Sequence, residues 1–317
     1  MSSSKTLTQV IQEQGKCFLV PCVYDCASNR AVEMCGFPVS LLSGGEVSIS
    51  LNGVIDYGFT NLTDLEWVIS RVATTSSMPL IADVEDGFGG PLAVYRSSKR
   101  LAAAGAAALQ LEDAGDMEDS TKILPRDKYM AKVKAALAAL EGTDCLLIAR
   151  TNADPDDPEE MKEGCERLKE AMDLGAQLAM FVKITTYEQA AEMAAIVPGW
   201  KIFADVRADN GSPAVTMDQL TDLGFVMCST HYTMKAAMEG MLEHGLQNFK
   251  NQSVEYTFTH ASGTGKPDFS ASPMFEPQQY LELENSFTGG GKEYTIVGHK
   301  VDEFPEGFVS VPIEERL

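Results

Sequence analysis

Short apolar, β-prone runs recur along this chain, and each is followed by a longer Ala/Leu/Met-rich stretch of helical period. Eight such runs are counted, at residues 18–24, 39–42, 80–83, 108–111, 145–149, 178–182, 202–206 and 225–228. Helical stretches at 27–34, 64–73, 93–104, 126–139, 158–174, 187–196 and 217–223 separate them. Gly36, Gly105, Gly175 and Gly224 each follow a helical run and precede a strand, where a left-handed C-terminal cap is expected. Eight strands alternating with helices close a parallel sheet with no edge left over, so the pattern predicts an α/β chain folded as a (β/α)8 TIM barrel. An open doubly wound sheet is the alternative. Against it, Asp25-Cys26-Ala27-Ser28 stands after the first strand, where a dinucleotide fold would carry Gly-x-Gly-x-x-Gly.

The βα rhythm fades after a last helical stretch from Thr233 to Leu246. Residues 1–248 are therefore read as the barrel domain and residues 249–317, rich in Gly, Ser, Pro and aromatics, as a C-terminal helical or irregular extension serving as lid or oligomerisation segment. The chain has 317 residues with 25 Lys+Arg against 46 Asp+Glu, a net charge of −21. That balance excludes a generic nucleic-acid or membrane-surface binder, since both need positive charge. The polar start from Met1 to Thr6 and the lack of any long apolar segment predict a cytoplasmic protein. Seven cysteines, odd in number and mostly within apolar runs, read as free buried thiols, with Cys22 beside a strand end the one to watch.

In a barrel the active site lies at the C-terminal rim, so the residue after each apolar run is the informative one. Those positions hold Tyr24-Asp25, Ser43-Gly44-Gly45-Glu46, Asp83 to Gly87, Glu112-Asp113, Arg150-Thr151-Asn152, Lys183, Asp205-Val206-Arg207 and Ser229-Thr230-His231. Asp83, Glu85, Glu112 and Asp113 on adjacent strands would repel one another unless a cation or proton intervened. Hard oxygen ligands without a Cys/His set point to Mg2+ or Mn2+, against the plainer reading of solvated or salt-bridged carboxylates. Arg150 suits bidentate capture of a carboxylate or phosphate, or else a structural ion pair. Ser43-Gly44-Gly45 either lets backbone N–H groups approach an anion or is a tight turn. Lys183 could meet a substrate anion or stand in solvent, and His231 could donate to a carboxylate, move a proton or cap a helix.

Together, Leu42-Ser43-Gly44-Gly45, Ala82 to Gly89 (ADVEDGFG), Leu111-Glu112-Asp113 and Ile148 to Ala153 (IARTNA) resemble the isocitrate lyase and phosphoenolpyruvate mutase superfamily, from about Gly15 to Gly245. The resemblance implies a barrel that binds Mg2+ (or Mn2+) and a small 2-oxo or 2-hydroxy acid, works through an enolate-like intermediate and assembles as a tetramer or dimer with helix exchange. It implies Asp83 as direct metal ligand, Glu85 and Glu112 as carboxylates on metal-bound water, and Asp56 as another such carboxylate. It further implies Ser43, Gly44 and Gly45 at the substrate carboxylate and Arg150 as substrate-binding arginine. The chain departs from the pattern at Glu85, where Asp is usual, and between Glu112 and Arg126, where the lyases carry a Cys-Gly-His loop and this chain has neither Cys nor His. The phosphonate branch's Lys-x-Asn-Ser gate is also absent, and His231 after strand eight is closest to the oxaloacetate decarboxylase branch.

The expectation is a Mg2+-dependent carbon–carbon lyase or decarboxylase for a small dicarboxylate, with weak cleavage of isocitrate or 2-methylisocitrate because the loop acid is missing. Two rivals stand beside it. One is a phosphonopyruvate hydrolase or mutase with Lys183 on the phosphonate, the other a non-catalytic barrel acting as a binding or assembly module.

Overall fold

The computed structural model describes residues 5–115, 123–205, 213–260, 274–290 and 307–313. Eight parallel strands close into a barrel in sequence order: β1 Phe18–Val23, β2 Ser40–Leu42, β3 Leu80–Asp83, β4 Ala108–Glu112, β5 Leu146–Thr151, β6 Leu178–Phe181, β7 Trp200–Phe203 and β8 Phe225–Thr230. β8 pairs with β1, so the sheet has no free edge. The strands coincide with the eight apolar runs, although β7 begins and ends earlier than expected. Val206 and Arg207, from that predicted strand and its rim, lie outside the described residues.

Alternation along each strand builds two separate cores. Leu41, Ile81, Ile148, Met180, Ile202 and Met227 point inward and fill the barrel. Their neighbours Leu42, Ala82, Leu147, Phe181, Phe203 and Cys228 point outward against the helices. Those helices are α2 Cys26–Met34, α4 Leu62–Thr74, α5 Pro91–Ala103, α6 Arg126–Leu140, α7 Pro158–Leu174, α8 Tyr187–Ile196, α9 Met217–Asp222 and α10 Thr233–Asn251. α10 runs unbroken past residue 248. Among the described residues, no helix is long and apolar enough to cross a membrane.

Two elements went unpredicted. Helix α1, Leu7–Gln14, is started by a capping box between Thr6 and Gln9 and lays Leu7, Val10 and Ile11 into the inner core beside Phe18 and Val20. It plugs the bottom of the barrel. After β2, the short helix α3 Gly44–Val47 passes directly into a π-helical turn, Ser48–Asn52. Ser43 caps α3 by accepting the Glu46 N–H at 3.3 Å, so the Ser-Gly-Gly segment starts a helix and is not merely a turn.

Parts of the extension dock on α2. Beyond helix α11, Glu255–Thr259, a further helix α12 spans Pro277–Thr288. Arg30 on α2 pairs with Glu33 and with Glu276, both at 2.7 Å, and its Nε donates to the Met274 carbonyl. The Val309 N–H donates to Met34 O at the end of α2, while Val311 and Ile313 are buried. The described pieces at 274–276 and 307–313 are thus held on the flank and base of the first βα unit.

Candidate active site

The inward-facing side of each strand, followed upward, emerges at the C-terminal mouth. Ile81 is succeeded by Asp83, Gln110 by Glu112, Ile148 by Arg150, and Leu41 by Ser43. Of these, Leu41, Ser43, Asp83, Gln110 and Arg150 border a cavity of about 360 Å3 whose walls also carry Gly45, Glu46, Asp56, Asp205 and His231. An apolar floor of Leu41, Met180 and Ala204 closes it below.

Register places the charges. Glu112 on β4 lies directly opposite Arg150 on β5, and Asp83 on β3 lies opposite Gln110 one step lower. The Arg150 guanidinium spans both, with Nη1 2.9 Å from Asp83 Oδ2 and Nη2 2.9 Å from Glu112 Oε2. Burial alone would lower the guanidinium's proton affinity, but the Asp83, Glu112 and Glu85 charges outweigh it and hold Arg150 charged. Asn152 bridges the same pair, donating to Glu112 Oε2 at 3.0 Å and accepting from Arg150 Nη2 at 3.4 Å.

Glu85 completes this wall from the β3–α5 loop. Its backbone is left-handed, at φ 52°, a costly conformation for a residue with a long side chain, and its N–H donates to Asp83 Oδ1 at 3.2 Å. Glu85 Oε1 is buried without a hydrogen-bond partner and rests on Gly44, where any Cβ would overlap it. Burial first, and then the Asp83, Asp56 and Glu112 charges, push its carboxyl up to about 9, against a partial offset from Arg150. Asp56 packs over Gly45, where a Cβ would stand 3.3 Å from Oδ2. Its carboxyl is raised by partial desolvation and by the Glu112 charge, with Arg150 opposing.

The opposite wall comes from β7 and β8. Asp205, itself left-handed at φ 29°, takes the His231 N–H on Oδ1 at 3.0 Å and lies 2.5 Å from His231 Nδ1 through Oδ2. The imidazole is therefore oriented from two points, and the Asp205 hydrogen bond raises its proton affinity in spite of desolvation.

Two rim residues do not join the site. Asp113, grouped above with the mouth carboxylates, belongs to the outward side of β4 and is fully buried. There it accepts from Thr151 Oγ1 at 2.5 Å, from the Asn152 N–H at 2.8 Å and from Arg167 of α7 at 2.8 Å. Strand alternation turns it away from its neighbour Glu112. Lys183 is exposed and does not line the cavity, whereas Val182 and Thr185 on either side do. The loop that replaces the Cys-Gly-His segment falls largely at residues 116–122, outside the described residues. Glu46, Asn152 and Asp205 stood among the rim positions without an assigned role, and Gln110 was not among them. Gln110 did carry a signal, as a polar residue within an apolar strand two positions before Glu112.

Among the described residues, no three His, Cys, Asp or Glu side chains are grouped to hold an ion by themselves. Mg2+ does not require such a cage, because it keeps several waters and commonly takes one or two carboxylates. The donors fit that mode. They are hard oxygens, they repel one another, and Glu85 Oε1 is a buried acceptor with nothing to accept from. Gln110 Oε1, Arg150 Nε and Ser229 Oγ are also buried without partners, and all three residues line the cavity. Buried polar atoms are nearly always satisfied, so the cavity is built for a polar occupant.

Comparison with known proteins agrees with the barrel fold. The family described as phosphoenolpyruvate phosphomutase matches residues 7–249. The petal death protein of Dianthus caryophyllus is 29% identical over 296 residues, covering 89% of this chain and 88% of its own. An oxaloacetate decarboxylase of Pseudomonas putida (strain GB-1) is 30% identical over 184 residues, covering 57% of this chain and 63% of its own. The crystal structure of oxaloacetate acetylhydrolase superposes with a TM-score of 0.78 at 27% identity, covering 91% of this chain and 99% of that one.

Proposed function

The chain belongs to the phosphoenolpyruvate mutase family, and on that premise we propose that it breaks a carbon–carbon bond in a small 2-oxo or 2-hydroxy dicarboxylate through an enolate. Oxaloacetate is the first substrate to test, because two of the similar proteins are named for acting on it. The observation that carries the reading is Arg150 held between Asp83 and Glu112 at the mouth, beside the unpartnered Glu85 Oε1. A divalent Mg2+ or Mn2+ ion, taken by Asp83 with Glu85 and Glu112 on its waters, would supply positive charge against the C2 oxygen as the bond breaks.

The chain's own residues bind and orient. Arg150 offers a planar fork for one substrate carboxylate, with Asn152 fixing its plane. Ser43 and Gly45 line the same side of the cavity, and the absence of a side chain at Gly45 leaves room for both Asp56 and an anion. Leu41, Met180 and Ala204 keep water from the carbon skeleton. A phosphonate substrate fits less well. Among the described residues, Arg150 and His231 are the basic side chains that line the cavity, and Lys183, assigned above to the phosphonate, is not one of them.

The test is a turnover screen of oxaloacetate, 2-methylisocitrate, 2,3-dimethylmalate and phosphonopyruvate, with Mg2+ and with EDTA. Metal-dependent release of a 2-oxo acid or of oxalate from a carboxylate substrate is expected. Turnover of phosphonopyruvate alone would instead favour the phosphonate reading, and no turnover at all a binding module.

We propose also that the chain assembles with copies of itself through α10. Met238, Met241, Leu242, Leu246 and Phe249 recur at helical spacing on that helix and are exposed, whereas Met234 is its one buried residue. An apolar stripe of that length left in water marks an interaction face.

A further inference from the structure

Glu46 lies three positions after Ser43, on α3, and its side chain is buried yet lines the cavity. It stands apart from the Asp83–Glu112–Arg150 wall. The groups that face it are Cys22 on β1 and Tyr24 just after it, Asp205 and His231 just after β7 and β8, and Thr233 from the start of α10. The Thr233 hydroxyl has two acceptors within reach, the Cys22 carbonyl and Glu46 Oε2. Its Oγ1 donates to the Cys22 carbonyl at 2.6 Å and stands 3.4 Å from Glu46 Oε2.

Burial raises the Glu46 carboxyl, with Asp205 adding to it, while His231 and Thr233 oppose. The opposition is useful: a neighbouring imidazolium steadies the carboxylate that forms once the proton has gone. Asp205 holds His231 in place for this by accepting from both its main chain and its ring.

We propose that Glu46 is the acid that protonates carbon after the carbon–carbon bond breaks, the task for which the segment between Glu112 and Arg126 offers neither Cys nor His. This rests on the enolate reading above. Cleavage leaves the bonding electron pair in the enolate. The O–H bond of Glu46 then breaks, its proton forms the new C–H bond at C3 with that pair, and Glu46 is left as the carboxylate. A proton from solvent restores it before the next turnover.

The experiment compares wild type with Glu46→Gln, a variant of the same shape that carries no transferable acid proton. General acid catalysis contributes about 10²- to 10⁴-fold, so kcat is expected to fall at least a hundredfold. KM and inhibition by oxalate should stay within about twofold of wild type if binding is untouched. In D2O, enzyme-catalysed exchange of the C3 protons of the 2-oxo product, followed by NMR, should be lost. The alkaline fall of the wild-type kcat profile should be absent from the variant's residual activity. If Glu46→Gln melts early, Glu46→Asp serves with the same exchange measurement, and at least tenfold slower exchange is expected. Variant turnover and exchange equal to wild type would overturn the role of Glu46 alone. A wild type inert towards every acid would overturn the enolate reading, and this assignment with it.

Discussion

At the scale of single residues, the site is a problem of too many carboxylates for one guanidinium. Arg150 meets Asp83 and Glu112 with different nitrogens at 2.9 Å each, a geometry that a lysine ammonium cannot reproduce. Arg150→Lys keeps the charge and is expected to lower kcat/KM at least tenfold, since a charged hydrogen bond is worth roughly 1.5–3 kcal/mol. Unaltered kinetics would make Arg150 purely structural. Asp83→Ala is expected to weaken Mg2+ binding, measured by calorimetric titration, well beyond Glu85→Asp, because the first removes the proposed direct ligand and the second a support for its water. Equal losses would reverse that ranking. Glu85 also gives a pH signature. Its carboxyl is raised from 4.5 unfolded to about 9 folded, so the folded state holds the extra proton and stability declines as pH rises from about 4.5 towards 9. In metal-free protein, Glu85→Gln should flatten the fall of melting temperature across that window, and a slope identical to wild type would count against the shift.

At the scale of elements, the barrel was legible because apolar runs repeat eight times with Gly caps before four of them, and one βα unit misread leaves seven others to correct it. Asp83, Glu112 and Arg150 could be placed at the mouth for the same reason, being the first polar residues after apolar runs. Asp113 could not, since a run of two acids after a strand does not say which of them faces inward. Alternation does say so once the register is known. It assigns Asp113 to the outer layer, where Arg167 joins the end of β4 to α7 and also donates to Leu124 O at 3.1 Å. Glu46 and Asp205 stood at the rim without a role, because their roles depend on contacts with α10 and β8, far away in sequence. The buried Asp113–Arg167 pair has its own test. Removing one partner strands the other charge, so Arg167→Met is expected to cost about 3–5 kcal/mol in urea unfolding. A cost under about 1 kcal/mol would mean that Thr151 and Asn152 satisfy Asp113 without it.

At the scale of the whole molecule, two forces oppose each other on the surface. The chain carries a net charge of −21, which drives copies apart, and α10 presents Met241, Leu242, Leu246 and Phe249 at 65–75% exposure, which draws them together. The like-charge term is screened over about 8–10 Å at physiological salt, whereas apolar burial is not, so association should strengthen as salt is raised from low levels. Of the described parts of the extension, α11 is bonded to α10 through Asn248 and Glu243, whereas residues 274–276 and 307–313 are tied to α2 by Arg30, Glu276 and Val309, and the stripe stays exposed. Light scattering after size exclusion should therefore give a multiple of the 34.3 kDa chain mass. Leu242→Glu with Leu246→Glu places two charges on that face without touching the inner core. The expected result is a shift towards the monomer mass with far-UV circular dichroism unchanged. A wild type that is monomeric at all salt concentrations, or a double variant with undiminished mass, would show that α10 is not the assembly face.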